Sequence, residues 1–254
     1  QDGQLAPTNR NSGVVLQAVN DVTASGALYF SSAGNSGNLN DGTAGVWEGD
    51  FVDGGVVVPP ISPIEGPAAR LHNFGGQTFN VITSAGPSNN NLKWSDPLGG
   101  SMNDYDLFRL NATGTTVMAA SVGLQNGTQD PYEQVSPGAA GDRLVIVQFS
   151  GAARYLHLNT NRGRLSLATA GQTHGHSAAA AAFSVAATPA GAAYPYSFNA
   201  TNKVETFSSD GPRRIFFQAN GTPFTPSLLS DGAIVRQKPD ITAADGVSVT
   251  GVGG

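Results

Sequence analysis

The stretch Ala27-Leu28-Tyr29-Phe30-Ser31-Ser32-Ala33-Gly34-Asn35-Ser36-Gly37 is a short apolar run that passes directly into a loop of small residues with an asparagine at its centre. A run this short, aromatic and closed by glycine predicts a buried strand over 27–32. The loop then delivers one carboxamide to the carboxyl edge of a sheet, among neighbours small enough for a ligand backbone to come close. An uncharged N–H donor held there can stabilise negative charge developing on a carbonyl oxygen. On spacing alone, the same residues also describe a plain Gly/Asn turn after a strand.

The surroundings sharpen the choice. Val14-Val15-Leu16-Gln17-Ala18-Val19 opens a helical pattern over 12–25 that Ser25-Gly26 closes. Helix, strand and asparagine loop together resemble the oxyanion-asparagine segment of the subtilisin-like serine peptidases. Two further segments follow in that family's order. Thr206-Phe207-Ser208-Ser209-Asp210-Gly211-Pro212 is similar to its Phe-Ser-Ser-x-Gly-Pro loop. Lys238-Pro239-Asp240-Ile241-Thr242-Ala243-Ala244-Asp245-Gly246-Val247 is similar to its Lys-Pro-Asp-x-x-Ala-Pro-Gly stretch, departing from it at Ala244-Asp245-Gly246, where the family usually has a proline.

The resemblance implies an α/β parallel-sheet catalytic domain that hydrolyses peptide bonds through an acyl-enzyme, with a peptide or protein substrate, no required cofactor and an extracellular, secreted location. It implies Asn35 as the oxyanion-hole donor. It also implies Ser32, Ala33 and Gly34 as one wall of the primary specificity pocket, with Gly175 and His176 near the other. Small residues on both sides would leave an open slot for a large apolar side chain. Such chemistry also needs a serine, a histidine and an aspartate. The sequence contains no Gly-Thr-Ser, no His-Gly-Thr and no Gly-x-Ser-x-Gly. The expectation is an interior fragment of the catalytic domain, inactive alone. The strands it lacks would leave exposed edges through which it could self-associate.

Composition sets outer bounds. The 254 residues include 33 glycines and 15 prolines with only 12% charged side chains, which describes a loop-rich protein of strands and short helices. The net charge of −5 and the absence of a Lys/Arg cluster give no electrostatic footprint for nucleic acid. With no cysteine there is neither a disulfide nor a thiolate site. No signal peptide opens the sequence, and no apolar run is long enough for a membrane span.

Between 38 and 67 the chain turns to Gly, Asp, Val and Pro, and Val58-Pro59-Pro60 argues against a regular element. From 68 to 168 the pattern is of short alternating strands separated by turn residues, the pattern of an antiparallel, jelly-roll-like β-sandwich. Its wording, from Trp94-Ser95-Asp96-Pro97 through Asn103-Asp104-Tyr105-Asp106-Leu107-Phe108, resembles the small sandwich of the pre-peptidase C-terminal type. The expected organisation is a partial subtilisin-like domain over 1–67 and 169–254, interrupted by the sandwich. Ser177–Ala182 is helix-compatible, and Phe183–Ala187 reads as a buried strand.

Two metal sites can be written from the sequence. Asp104 and Asp106 face one way on a strand and, with Asp96 on the preceding loop, could bring carboxylates together for calcium. His174 and His176 flank Gly175, and on extended chain both rings would share one face, as zinc requires. Solvated acids at a strand start and a structural histidine pair are the plainer readings. The rival for the whole chain is a non-catalytic binding module whose sandwich holds calcium, carbohydrate or protein.

Overall fold

The computed structural model of the chain describes residues 13–218 and 220–248, so residue 12 of the expected helix lies outside it. In chain order the elements begin with α1 (Val14–Ala24), β1 (Tyr29–Ser32), β2 (Val46–Asp50), β3 (Asp53–Val56), α2 (Ser62–Glu65), β4 (Arg70–His72) and β5 (Asn80–Ser84). They continue with β6 (Asn90–Trp94), β7 (Asp104–Leu110), β8 (Val117–Ser121), β9 (Tyr132–Val135), β10 (Arg143–Ser150), β11 (Tyr155–Asn159) and β12 (Arg164–Leu165). The last are β13 (Ala182–Pro189), α3 (Ala190–Ala193), β14 (Arg213–Ile215), β15 (Ile234–Arg236) and β16 (Ile241–Asp245). The fold is thus mostly β, with few helices.

β1, β13 and β16 form a parallel sheet in the order β1-β13-β16, with Phe30 beside Phe183 and Val185 beside Ile241. One face is covered by α1, where Leu16 and Val19 pack with Tyr29, Ala179 and Ala182. On the other, Phe30 and Phe183 stack at 5.0 Å and stay 54% and 38% exposed. β16 is exposed along its whole length. The expected helical run over 177–182 is instead a 3-10 turn at Gly175–Ala178, and β13 already begins at Ala182.

The antiparallel part comprises two sheets packed over one core. One runs β12-β5-β10-β4-β3, with β7 and β8 joined through β10, and the other runs β2-β11-β6-β9. Between them lie Phe51, Phe74, Ile82, Leu92, Trp94, Tyr105, Leu107, Leu144, Ile146, Leu156 and Leu158. β7 is buried on both faces. Tyr105 and Leu107 point into that core, while Phe108 and Leu110 point outward against Val57, Ile61 and Leu71.

The structure corrects the reading of 38–67, because β2, β3 and α2 lie there and the sandwich sheets begin at Val46, not at 68. In β2 the fully buried positions are Val46 and Glu48, on the face turned away from the sandwich core, while half-buried Trp47 packs against that core, so half of the buried positions are a carboxylate and hydropathy does not register the strand. The two ends of the sandwich segment meet. The Thr160 amide donates to the Gly45 carbonyl at 2.9 Å, and the Thr169 amide to that of Val46 at 2.8 Å.

Candidate functional site

In a parallel sheet all strands end at one edge, and ligands of such sheets gather beyond those ends. Asn35 stands there, just past β1, with its side chain exposed. Among the described residues its carboxamide has no hydrogen-bond partner. The backbone carrying it is fixed from both sides. The Ala33 amide donates to the Val185 carbonyl at 2.8 Å, which prolongs the β1–β13 pairing to the loop.

The Phe207–Asp210 segment, some 170 residues downstream, closes over the loop. The Ser209 amide donates to the Gly34 carbonyl at 3.0 Å, the Ser36 amide donates to Ser209 Oγ at 3.0 Å, and the Gly37 amide donates to the Phe207 carbonyl at 2.9 Å. Gly34 has φ +109°, and a Cβ there would stand 2.9 Å from Ser209 Oγ, so this approach needs glycine. Asp210 completes the clasp, its carboxylate accepting from the amides of Leu39 at 2.8 Å and Gly171 at 2.9 Å.

The residues expected to wall a pocket are brought near one another, since the Gly175–Ala178 turn lies against β1. Ser32 is exposed and Gly34 half-buried, while Ala33 is buried. His176 faces the other side chains of the strand: its Nδ1 is 3.0 Å from the Tyr29 hydroxyl and 3.2 Å from Ser31 Oγ. His174 Nδ1 sits 2.7 Å from the Gln172 carbonyl instead. With Gly175 at φ +73° the segment is not extended, and the two imidazoles are tied to different partners.

Asp240 is a turn former. It accepts from the Ser184 amide and from Lys238 Nζ, both at 2.7 Å, and Lys238 Nζ also donates to the Ala182 carbonyl at 2.7 Å. The Lys-Pro-Asp motif thus clamps β13 between β1 and β16.

The acidic residues separate into two groups. Asp96 accepts from Arg154 Nε at 2.6 Å, from Ser101 Oγ at 2.9 Å and from Asn103 Nδ2 at 2.8 Å, so it is committed to its own loop. Asp104 and Asp106 lie on the outward face of β7, under α2. There Asp106 shares a hydrogen bond with Glu65, and Glu133 of β9 lies close by. Burial, and then the negative charges of Glu65, Asp104 and Glu133, push the Asp106 carboxyl up to about 9. Burial also raises Glu65, Asp104 and Glu133.

A further buried polar group lies between β2, β11 and β14. Glu48 Oε1 is 2.6 Å from Arg213 Nη1 and 2.6 Å from His157 Nδ1, and Tyr155 donates to Glu48 Oε2 at 3.0 Å. Burial alone would raise Glu48, but Arg213, His157 and Tyr155 together outweigh it and hold the carboxyl below its ordinary value. Burial and the Arg213 charge push His157 down to about 4, so the imidazole is neutral and its Nδ1–H donates to Glu48. The 3.2 Å approach of Arg213 Nη1 to the same nitrogen is then donor beside donor, not a hydrogen bond.

No family model matches the chain, and no curated protein matches it. Among solved structures, the CspB protease of Clostridium perfringens is similar at a TM-score of 0.46 and 13% identity, over 94% of this chain and 50% of that one. The chain therefore spans about half of that protein's length. A likeness of this size transfers neither fold nor activity, and the site stands on its own geometry. Among the described residues no helix is long and apolar enough to cross a membrane.

Sequence reasoning missed Glu65, Glu133 and Glu48, each of which stands alone in its local pattern. The signal that could have found Glu48 is its company: Trp47 before it and the Arg213-Arg214 pair that follows the Ser209 loop. Ser209 was visible as part of a motif, though not as the residue that holds the asparagine loop.

Proposed function

We propose that the chain is an interior portion of a subtilisin-like serine endopeptidase catalytic domain, interrupted by the antiparallel sandwich, with Asn35 as its oxyanion donor. The observation that carries this reading is the joining of the Asn35 loop to the Ser209 loop at the carboxyl edge of a parallel β1-β13-β16 sheet. Two sequence segments far apart in the chain, each resembling the same family, come to that edge, and the third, Lys238–Asp240, clamps the first residues of β13 in the same sheet. An exposed carboxamide without a partner of its own is free to donate to a developing oxyanion. Ser32, Ala33 and Gly34 on one side and Gly175 and His176 on the other would border a peptide side chain.

The motifs in which the resembled family carries its nucleophile and base are absent from the sequence, so on this reading hydrolysis requires further chain that carries the triad. In a protein carrying all of these groups, Asn35→Ala lowers kcat by about 10²–10³ with KM little changed, a range that comes from subtilisin itself. An Asn35→Ala protein that keeps the parent's kcat, or a parent that does not react with a serine-directed phosphonate, overturns the reading.

A further inference from the structure

Gln172, between β12 and β13, is 1% exposed. With its carboxamide turned so that both ends find partners, Nε2 donates to the Ser36 carbonyl and Oε1 accepts from the Val46 amide, each at 3.2 Å. The second contact answers a need of β2. In the β2–β11 pair the Thr160 amide donates to the Gly45 carbonyl, so by alternation the backbone groups of Val46 and Glu48 face away from β11. There the Glu48 amide donates to Thr169 Oγ1 at 2.8 Å, and the Val46 carbonyl accepts from the Thr169 amide. The buried Val46 amide still needs an acceptor, and Gln172 supplies it.

The backbone that carries this side chain is itself fixed. The Gln172 and Gly171 amides donate to Asp210 Oδ1 at 3.2 and 2.9 Å, and the Thr173 amide donates to the Asp210 carbonyl at 2.7 Å. One buried carboxamide thus spans from the first strand of the sandwich to the residue beside Asn35. We propose that Gln172 is a positioning residue for Asn35: it holds the Ser36 carbonyl against β2 and so sets the direction in which the exposed carboxamide points. Ser209 fastens the loop to the downstream segment, and Gln172 fastens it to the sandwich. The sandwich is on this account part of the support of the site. The catalytic meaning of that support rests on the peptidase reading, whereas the bridge itself does not.

The test is native-state hydrogen exchange on the whole chain with two variants. Gln172→Met keeps the volume and loses both polar ends, and Gln172→Asn keeps the carboxamide on a stem too short to bridge. The expected result in both is exchange about tenfold faster at the Ser36 and Gly37 amides, as one buried hydrogen bond is lost, with β7 and β10 unchanged. In Gln172→Met the Val46 amide quickens as well. Exchange that quickens everywhere, or Ser36 and Gly37 amides that behave as in the parent, overturns the proposal. In a protein that also carries the triad, Gln172→Asn lowers kcat about tenfold with KM within about a factor of two. It adds nothing to Asn35→Ala in the double variant, because it acts through that carboxamide. Additive losses, or a parental kcat, would also overturn it. A parent without peptidase activity refutes the peptidase reading instead, and exchange at Ser36 then decides on the bridge alone.

Discussion

At the scale of single residues, His72 and His157 show how burial decides charge. His72 is fully buried against Trp47, Phe51 and Phe74, and loss of solvent lowers its pKa to about 4. Its Nδ1 accepts from the Val52 amide at 3.2 Å, so Nε2 carries the hydrogen, and that atom finds no partner. Above pH 6.5 the imidazole is neutral both folded and unfolded, and its contribution to stability is complete. As pH falls from 6.5 toward 4 the unfolded chain takes up the proton first, and that contribution drains away, by about 3 kcal/mol at most. Proton-detected titration of the histidine rings is expected to find His72 and His157 neutral down to about pH 4. A midpoint near 6.5 for either would mean that water reaches it.

The same scale explains what the sequence could and could not disclose. Asn35 and Ser209 sit in local patterns with an unmistakable loop chemistry. The carboxylates do not: Asp96 lies eight residues before Asp104, and its proximity in sequence suggested a common ion. In the fold Arg154 and Asn103 draw Asp96 into its own loop, while Glu65 arrives from a segment that reads as a proline-rich crossing.

At the scale of elements, the parallel sheet is held as much by a motif as by its ladders. β13 runs between β1 and β16, and the Lys238–Asp240 pair anchors its first residues through the Ser184 amide and the Ala182 carbonyl. Lys238 is 7% exposed, so removing its carboxylate strands a cation out of water. Asp240→Ala is expected to cost about 3 kcal/mol by urea unfolding, and Asp240→Asn, which can still accept the Ser184 hydrogen bond, clearly less. Equal costs for the two would show that charge is irrelevant there. The strands of the sandwich were readable because their apolar and polar residues alternate. β2 was not, since a buried ion pair occupies one of its two fully buried positions. β7 was readable as a strand but not as one buried on both faces, because its acids on the α2 side imitate a solvated surface.

At the scale of the whole molecule, the Glu48 group joins parts of the chain that come from opposite ends of the sequence. β2 supplies the carboxylate, β11 the histidine and tyrosine, and β14 the arginine. Phe216 and Phe217 pack with Tyr155 beside it. Glu48→Gln leaves the Arg213 guanidinium buried beside a neutral amide, and a loss of about 3–5 kcal/mol follows. Hydrogen exchange locates the loss: the amides of β14 and β15 are expected to lose protection while those of β7 and β10 keep theirs. Unchanged protection in β14 would mean that the aromatic contacts alone hold this region to the sandwich.

The contact between Val46 and Thr169 has a consequence for how such a chain can vary. Because the polypeptide leaves and re-enters through one doorway, the connections between the sandwich strands can be exchanged, lengthened or pared back while β2 and β11, which carry the Glu48 group, keep their spacing. An insertion grafted into such a connection would be carried like a pendant, and the sheet edge bearing Asn35 need register no change when the pendant is replaced.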